Sequence, residues 1–309
     1  MTPPFSASIH FYRPAAWLRV TGPDAATFLQ GQFTNDLRLA TPGRAVYGLW
    51  LNQKGKVLAD SFILGGAADE FWLGSYFSPG EVIRRRLEEY LVADEVTVED
   101  LTPEWAGVSL IGDEVGRRLA EMSPREGWIL PGRRVPGENW EWIFPAASDD
   151  VVRAHLAGGR MLSAVEVERL RVAAGIPAVP ADAGPGDLPL EGGLGEDAIS
   201  ATKGCYLGQE IIARLKSKGT IRRRLVRVRG ADPVPAVPAA LSRDGQPVGE
   251  LRSAVEDGTG GFVGLALLKV AQAPSPAIST TAGGTRVRDT PPGQAPARLD
   301  CGSTTVEII

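Results

Sequence analysis

The sequence predicts an α+β protein that ends in a small antiparallel β-barrel or sandwich. Three observations carry this reading. At 309 residues the chain exceeds one typical core, so two or three domains are expected. Up to about residue 223, segments of helical period alternate with segments of strand period. From about residue 224 the texture changes: "RLVRVRG", "PVGELRSAV", "GFVGLALL" and "TTVEII" are short strands divided by Gly, Pro and Asp turns.

Taken in order, "TGPDAATFLQGQFTNDL" (21–37) reads as a turn and a short helix with Ala25, Phe28 and Leu29 inward, closed by a polar loop at Thr34–Asp36. "AVYGLWLNQKGKVLADSFILG" (45–65) is two strands joined by a Gln-Lys-Gly turn. "SPGEVIRRRLEEYLVADEVTVED" (78–100) is an amphipathic helix, with Val82, Ile83, Leu87, Tyr90 and Leu91 at helical spacing, followed by a strand at 95–99. Residues 105–145 read as strand, helix and hairpin, with "GWILPGRRVPGENWEWIFP" forming two strands about a Pro-Gly turn. Helices are expected at 148–157 and 163–174, the second stopped by Gly175 before Pro177. A Gly/Pro-rich segment then leads to "KGCYLGQE" (203–210), read as a helix starting near Tyr206. "AQAPSPAISTTAGGTRVRDTPPGQAPARLD" (271–300) is poor in large apolar residues and expected to be partly disordered.

Composition narrows the function classes. A formal net charge of −4 leaves no general attraction for nucleic acid, so DNA is not an expected partner and any polyanion needs a local basic patch. The N-terminus lacks a basic then apolar leader pattern and no apolar run reaches membrane length, so no membrane association and a cytoplasmic location are expected. The two cysteines, Cys205 and Cys301, lie far apart, and a disulfide between them is disfavoured in a reducing compartment. His10 and His155 share no ligand spacing with each other or with a cysteine, so no structural zinc site is expected. Two thiols cannot supply the four usual for a cubane cluster. Neither GxxxxGK[ST] nor GxGxxG occurs.

The chemistry concentrates at Lys203 and Cys205. A cysteine at a helix start, with a lysine beside it, has its thiolate favoured by unpaired backbone N–H groups and by the added cation. The alternative is a small buried hydrophobe beneath a glycine-rich loop. Immediately downstream, "RLKSKGTIRRRLVRVR" (214–229) holds eight cations and no acid. It is either a solvated strand face or a site for an anion such as a carboxylate tail or a phosphate backbone.

At these residues the chain resembles the YgfZ folate-binding family, itself related to the aminomethyltransferase (T-protein) of the glycine cleavage system. "KGCYLGQEIIAR" (203–214) is similar to the family pattern K-G-C-Y-x-G-Q-E-x-x-A-R at every defined position. "FLQGQFTNDL" (28–37), "LNQKGKVLAD" (51–60), "RVAAGIP" (171–177) and "LPLEGGL" (188–194) follow in the same order. The resemblance implies a three-lobed, aminomethyltransferase-like folate-binding fold around a central channel. It places one interwoven lobe at 1–45 with 150–223, a second at 46–149, and a C-terminal antiparallel β-barrel at 224–309. It also implies tetrahydrofolate, or a one-carbon-substituted folate, as cofactor. Glu191 of "PLEGGL" would accept the fork of pterin N–H and amino groups, unless it is a solvated loop carboxylate. Tyr206, Gly208, Gln209, Arg214, Asn35 and Asp36 join it as cofactor-binding candidates. Lys203 would orient the loop, Cys205 would supply a thiolate for redox or cluster contact, and Asp60 would assist proton transfer.

Departures from the transferase pattern choose between branches. Ala59 stands beside Asp60 where the transferases carry an acidic pair, and Ala173 replaces the glutamate of R-x-E-x-G. The resemblance therefore implies a tetrahydrofolate-binding accessory protein for iron–sulfur cluster assembly or repair, including tRNA-modifying iron–sulfur enzymes, with iron–sulfur client proteins as partners. Two alternatives remain: a folate-dependent aminomethyl or one-carbon transferase using Asp60, and a tRNA-binding module using the basic stretch.

Overall fold

A computed structural model describes residues 7–122, 126–271, 277–281, 284–288, 297–302 and 304–309. The first part runs β1 (Ser8–Tyr12), β2 (Ala16–Thr21), α1 (Ala25–Gln32), β3 (Val46–Leu51), β4 (Val57–Gly65), β5 (Glu70–Ser75), α2 (Gly80–Glu88) and β6 (Thr97–Asp100). It continues with β7 (Trp105–Ile111), α3 (Val115–Met122), β8 (Trp128–Pro131), β9 (Asn139–Pro145), α4 (Asp149–His155), β10 (Arg160–Met161) and α5 (Ala164–Ala173). After α6 (Gln209–Lys218) come β11 (Arg223–Ala231), β12 (Ala239–Arg243), β13 (Gln246–Glu256) and β14 (Gly261–Lys269). The chain closes with β15 (Ala277–Thr281), β16 (Gly284–Arg288), β17 (Arg298–Cys301) and β18 (Thr304–Ile308).

Two five-stranded sheets form the N-terminal part, in the orders β10-β1-β7-β9-β8 and β3-β4-β5-β2-β6. They share an apolar contact in which Trp17, Phe62, Leu64 and Trp72 of one meet Leu130 and Ile143 of the other. On its opposite face the second sheet is covered by α1 and α2, through Ala25, Phe28, Leu29, Ile83 and Leu87. This two-sided cover explains why β4 is buried almost throughout. β1 and β2 fall in different sheets, and residues 46–149 supply strands to both. Residues 1–45 and 46–149 are thus interwoven through the two sheets. Strand partners follow matching apolar faces, not contiguity in sequence.

From β11 onward six strands close a barrel in the order β11-β14-β13-β12-β17-β18, completed by pairing of Val228 with Ile308. Its interior is filled by Val226, Val228, Leu251, Phe262, Leu268 and Val306 among others. Helix α5 joins it to the rest. Ser163 and Glu166 form a reciprocal cap at its start, and Gly175 (φ +75°) ends it. Val172 packs on Val255 and Leu265 of the barrel. The buried Arg171 pairs with Asp182 at 2.7 Å and donates to Ser253 Oγ at 3.1 Å.

One local expectation is corrected. Helix α2 stops at Glu88, short of Tyr90 and Leu91, and Val82 lies 40% exposed beside the buried Ile83 and Leu87. Within 271–300, β15 and β16 pair as a two-stranded hairpin, and the expectation of partial disorder otherwise falls largely outside the described residues.

Candidate functional site

Helix α1 ends with backbone carbonyls that have no partner inside the helix. The loop 203–207 supplies their donors. The Nζ of Lys203 donates to the carbonyls of Gln30 at 2.6 Å, Phe33 at 2.5 Å and Asn35 at 3.1 Å, and Leu207 N donates to Gly31 O at 3.1 Å. Lys203 is only 6% exposed, and burial lowers its pKa from 10.5 to about 8. Its ammonium lies 5.2 Å from the centre of the Tyr206 ring. Tyr206 is itself buried among Leu49, Leu51, Val57 and Ile212, which pushes its pKa up to about 12.

The far side of the loop rests on the β3–β4 turn. Asn52 Oδ1 accepts from the amides of Lys54 and Lys56 at 2.9 and 3.0 Å and shapes that turn. Gly208 adopts φ +82° and lies so close that a Cβ would sit 2.7 Å from Asn52 O. Only glycine meets both demands. Gln209 opens α6 and accepts from Tyr206 N at 3.3 Å through its side chain. With Lys203 and Tyr206 turned inward, Cys205 stands exposed and free, whereas Cys301 is buried in the barrel.

This corrects the expected helix start near Tyr206. The left-handed Gly208 delays α6 to Gln209, so Cys205 precedes the first helical residue by four positions. Lys203 points to α1 instead of offering its ammonium to the thiol. The packing alternative for Cys205, a buried hydrophobe, does not hold, because the residue is exposed.

Asn35 and Asp36 adjoin the same loop. Asn35 Nδ2 donates to the carbonyls of Tyr47 at 2.8 Å and Asp197 at 3.1 Å. Asp36 pairs with Arg38 at 2.6 Å, and hydrogen bonds from Arg38 hold its carboxyl well below the usual range. Arg214 is exposed on α6. Asp60 is reached through Tyr47, whose hydroxyl donates to Asp60 Oδ2 at 2.9 Å. Ser75 and Ser78 each donate to its Oδ1 at 2.6 Å. At 4% exposure, burial raises the Asp60 pKa.

Glu191 is buried at 3% exposure, so it is not a solvated loop carboxylate. It faces a cavity of about 730 Å³ between α6, the β3–β4 turn and the barrel, whose walls include Lys56, Leu188, Leu215, Ile221 and Arg223. That volume is in the range of small-molecule sites. Glu191 Oε2 accepts from Leu188 N at 3.1 Å and from Arg223 Nη2 at 2.8 Å, and Oε1 accepts from Arg223 Nε at 3.3 Å. By contrast, the pocket at the junction of the two sheets holds about 10 Å³, no more than one water requires. Arg134 fills that junction, 4.3 Å from the Tyr12 ring centre and 4.1 Å from that of Tyr76. The buried Glu141 beside it accepts from Tyr12, Tyr76 and Ser109 hydroxyls at 2.7–2.8 Å.

The basic stretch 214–229 is not one surface. Arg223 is paired with Asp187 and Glu191, Arg229 with Glu307 at 3.1 Å, and Arg227 donates to Ala173 O. Sequence reasoning missed Arg223 as the partner of Glu191, and missed Arg134 and Glu141 altogether. Two adjacent arginines in "PGRRVPGE" between tryptophan-rich strands were the available signal. Among the described residues no group of three or more His, Cys, Asp or Glu could hold a metal ion.

Comparison with known proteins agrees with this geometry. Residues 14–128 match the GCVT N-terminal domain, and residues 222–297 match the CAF17 C-terminal beta-barrel domain. The chain is 35% identical over 274 residues to the human mitochondrial iron–sulfur cluster assembly factor IBA57, covering 81% of this chain and 74% of that protein. It is 27% identical over 221 residues to the tRNA-modifying protein YgfZ of Vibrio vulnificus, covering 69% of this chain and 67% of that protein. The structure of glycine cleavage system aminomethyltransferase T from Bartonella henselae superposes with a TM-score of 0.76, covering 99% of this chain and 85% of that one. At 17% identity it shows the aminomethyltransferase-like fold alone. The 35% identity to the human factor over most of both chains, together with the two matched domains and the YgfZ relative, shows that the chain belongs to the YgfZ/IBA57-type family.

Proposed function

We propose that this protein is an accessory factor for iron–sulfur cluster assembly or repair that presents the Cys205 thiol to client proteins or their clusters. The observation that carries the reading is the exposed thiol on a loop pinned from beneath by Lys203 and Tyr206. A rigid loop with one accessible sulfur suits transient contact with iron or with a client thiol. The relatives named for iron–sulfur cluster assembly and for tRNA modification support iron–sulfur enzymes, tRNA-modifying ones included, as clients.

Tetrahydrofolate belongs to the same proposal. The 730 Å³ cavity has room for a pterin, and Glu191 at its wall has the acceptor pair that a pterin's N–H and amino group require. Leu188, Leu215 and Ile221 would bound the ring, and Lys56 would face an anionic tail. Tyr206, Gly208 and Gln209 would act through the loop, and Asn35 and Asp36 through its contact with α1. The transferase alternative lacks the acidic partners at Ala59 and Ala173, and Asp60 is engaged by three hydroxyls. The tRNA alternative loses its continuous basic surface to ion pairs at Arg223 and Arg229. No helix among the described residues is long and apolar enough to cross a membrane. A cytoplasmic location is part of the proposal, although the human and mouse relatives are named as mitochondrial.

Replacing the chromosomal copy with a Cys205→Ala version tests the reading. Iron–sulfur enzyme activities should fall to the level of a deletion while the amount of folded protein is unchanged. Wild-type activities in that strain would remove the thiol from the mechanism.

A further inference from the structure

We infer that Arg223 is a built-in competitor for the ligand of Glu191. The inference rests on the folate reading of the cavity and adds how entry to it is controlled. A guanidinium presents two N–H donors side by side, the same fork as an amino group next to a ring N–H. Arg223 places that fork on both oxygens of Glu191, with Nη2 at 2.8 Å and Nε at 3.3 Å. A pterin, or any planar heterocycle carrying an amino group beside a ring N–H, needs those same oxygens. The acceptor is therefore filled by the chain itself until a ligand displaces the arginine.

Displacement has a ready destination. Arg223 Nη1 already lies 3.0 Å from Asp187 Oδ1, and Nη2 donates to Gly186 O at 3.2 Å. Asp187 is buried and also holds Arg252 at 3.3 Å, so it stays paired throughout. Arg223 is the first residue of β11, its side chain is 33% exposed, and it lines the cavity. A rotation toward Asp187 frees Glu191 without stranding either buried carboxylate, since the ligand's fork replaces the guanidinium. The device selects for the fork: a ligand without paired donors would leave the buried Glu191 with only the Leu188 amide, no cation and an unsatisfied Oε1, which is unfavourable.

The test is anaerobic calorimetric titration of the full chain with tetrahydrofolate, and separately with pterin. The proteins are wild type, Arg223→Lys, Arg223→Met and Glu191→Gln, each checked for folding by circular dichroism. Lysine keeps a charge for Asp187 but has no fork, and is the variant to read if the methionine variant does not fold. Both Arg223 variants should bind at least about tenfold tighter than wild type, the size of one charge-assisted contact. Glu191→Gln should weaken binding by a similar factor. Arg223 variants that bind no tighter, with Glu191→Gln still weakening binding, overturn the competitor and leave the cavity reading standing. Binding that is absent, or indifferent to Glu191, overturns both.

Discussion

Replacing Lys203 with methionine removes the clamp beneath the thiol loop while keeping a side chain of similar length. The ammonium donates to three carbonyls at 2.5–3.1 Å, all at or just past the end of α1. A charged donor makes each hydrogen bond worth about 1.7 kcal/mol, so the loss comes to about 5 kcal/mol. Burying the charge opposes this by about 3 kcal/mol, as the fall of the lysine pKa to about 8 records. A net destabilisation of about 2 kcal/mol follows, with little added from cavity formation because methionine fills similar volume. Urea unfolding at pH 7, followed by tryptophan fluorescence, reads the effect. Alkylation of native protein reads the loop, and Cys205 should react faster in the variant. A variant within about 0.5 kcal/mol of wild type, with unchanged alkylation, would refute the clamp.

Three further outcomes follow from the same geometry. Because folded Lys203 releases its proton near pH 8 and an unfolded lysine near 10.5, the native state binds fewer protons in that window. Its share of stability therefore rises with pH from about 8 toward 10.5, and urea titrations should show this in wild type but not in Lys203→Met. Gly208→Ala should lower stability by about 2 kcal/mol in the same assay, since a Cβ meets Asn52 O and φ is positive. Arg134→Met leaves Glu141 buried at 1% exposure without its cation, and should cost about 3 kcal/mol; Glu141→Gln with wild-type Arg134 should cost a comparable amount by chemical denaturation.

Much of the local structure was legible because its causes are local. The inward face of α1 follows from the spacing of Ala25, Phe28 and Leu29, and the stop of α5 from Gly175. The β3–β4 turn is announced by Gln53, Lys54 and Gly55, and an antiparallel barrel or sandwich by short strands and regular turns, which the structure closes as a barrel. What escaped the sequence depends on partners far along the chain. The sheet membership of β1 and β2 is decided by β7 and β5, nearly 100 and about 50 residues away. Arg223 was read as one cation in a run, whereas its role is set by Glu191, 32 positions earlier. Lys203 looked like a neighbour of Cys205 by sequence, but its reach takes it 170 positions back to Phe33. A long flexible side chain binds where carbonyls are left unpaired, and that cannot be read from spacing.

The most direct test of the central claim uses purified protein and an extract of cells that lack it. Wild-type protein is alkylated at Cys205 with iodoacetamide under native conditions, where Cys301 is protected by burial. Recovery of iron–sulfur enzyme activity is then followed after adding alkylated or untreated protein. The account predicts recovery with untreated protein and none with the alkylated form, at equal folded content by circular dichroism. Equal recovery from both would contradict a role for the Cys205 thiol.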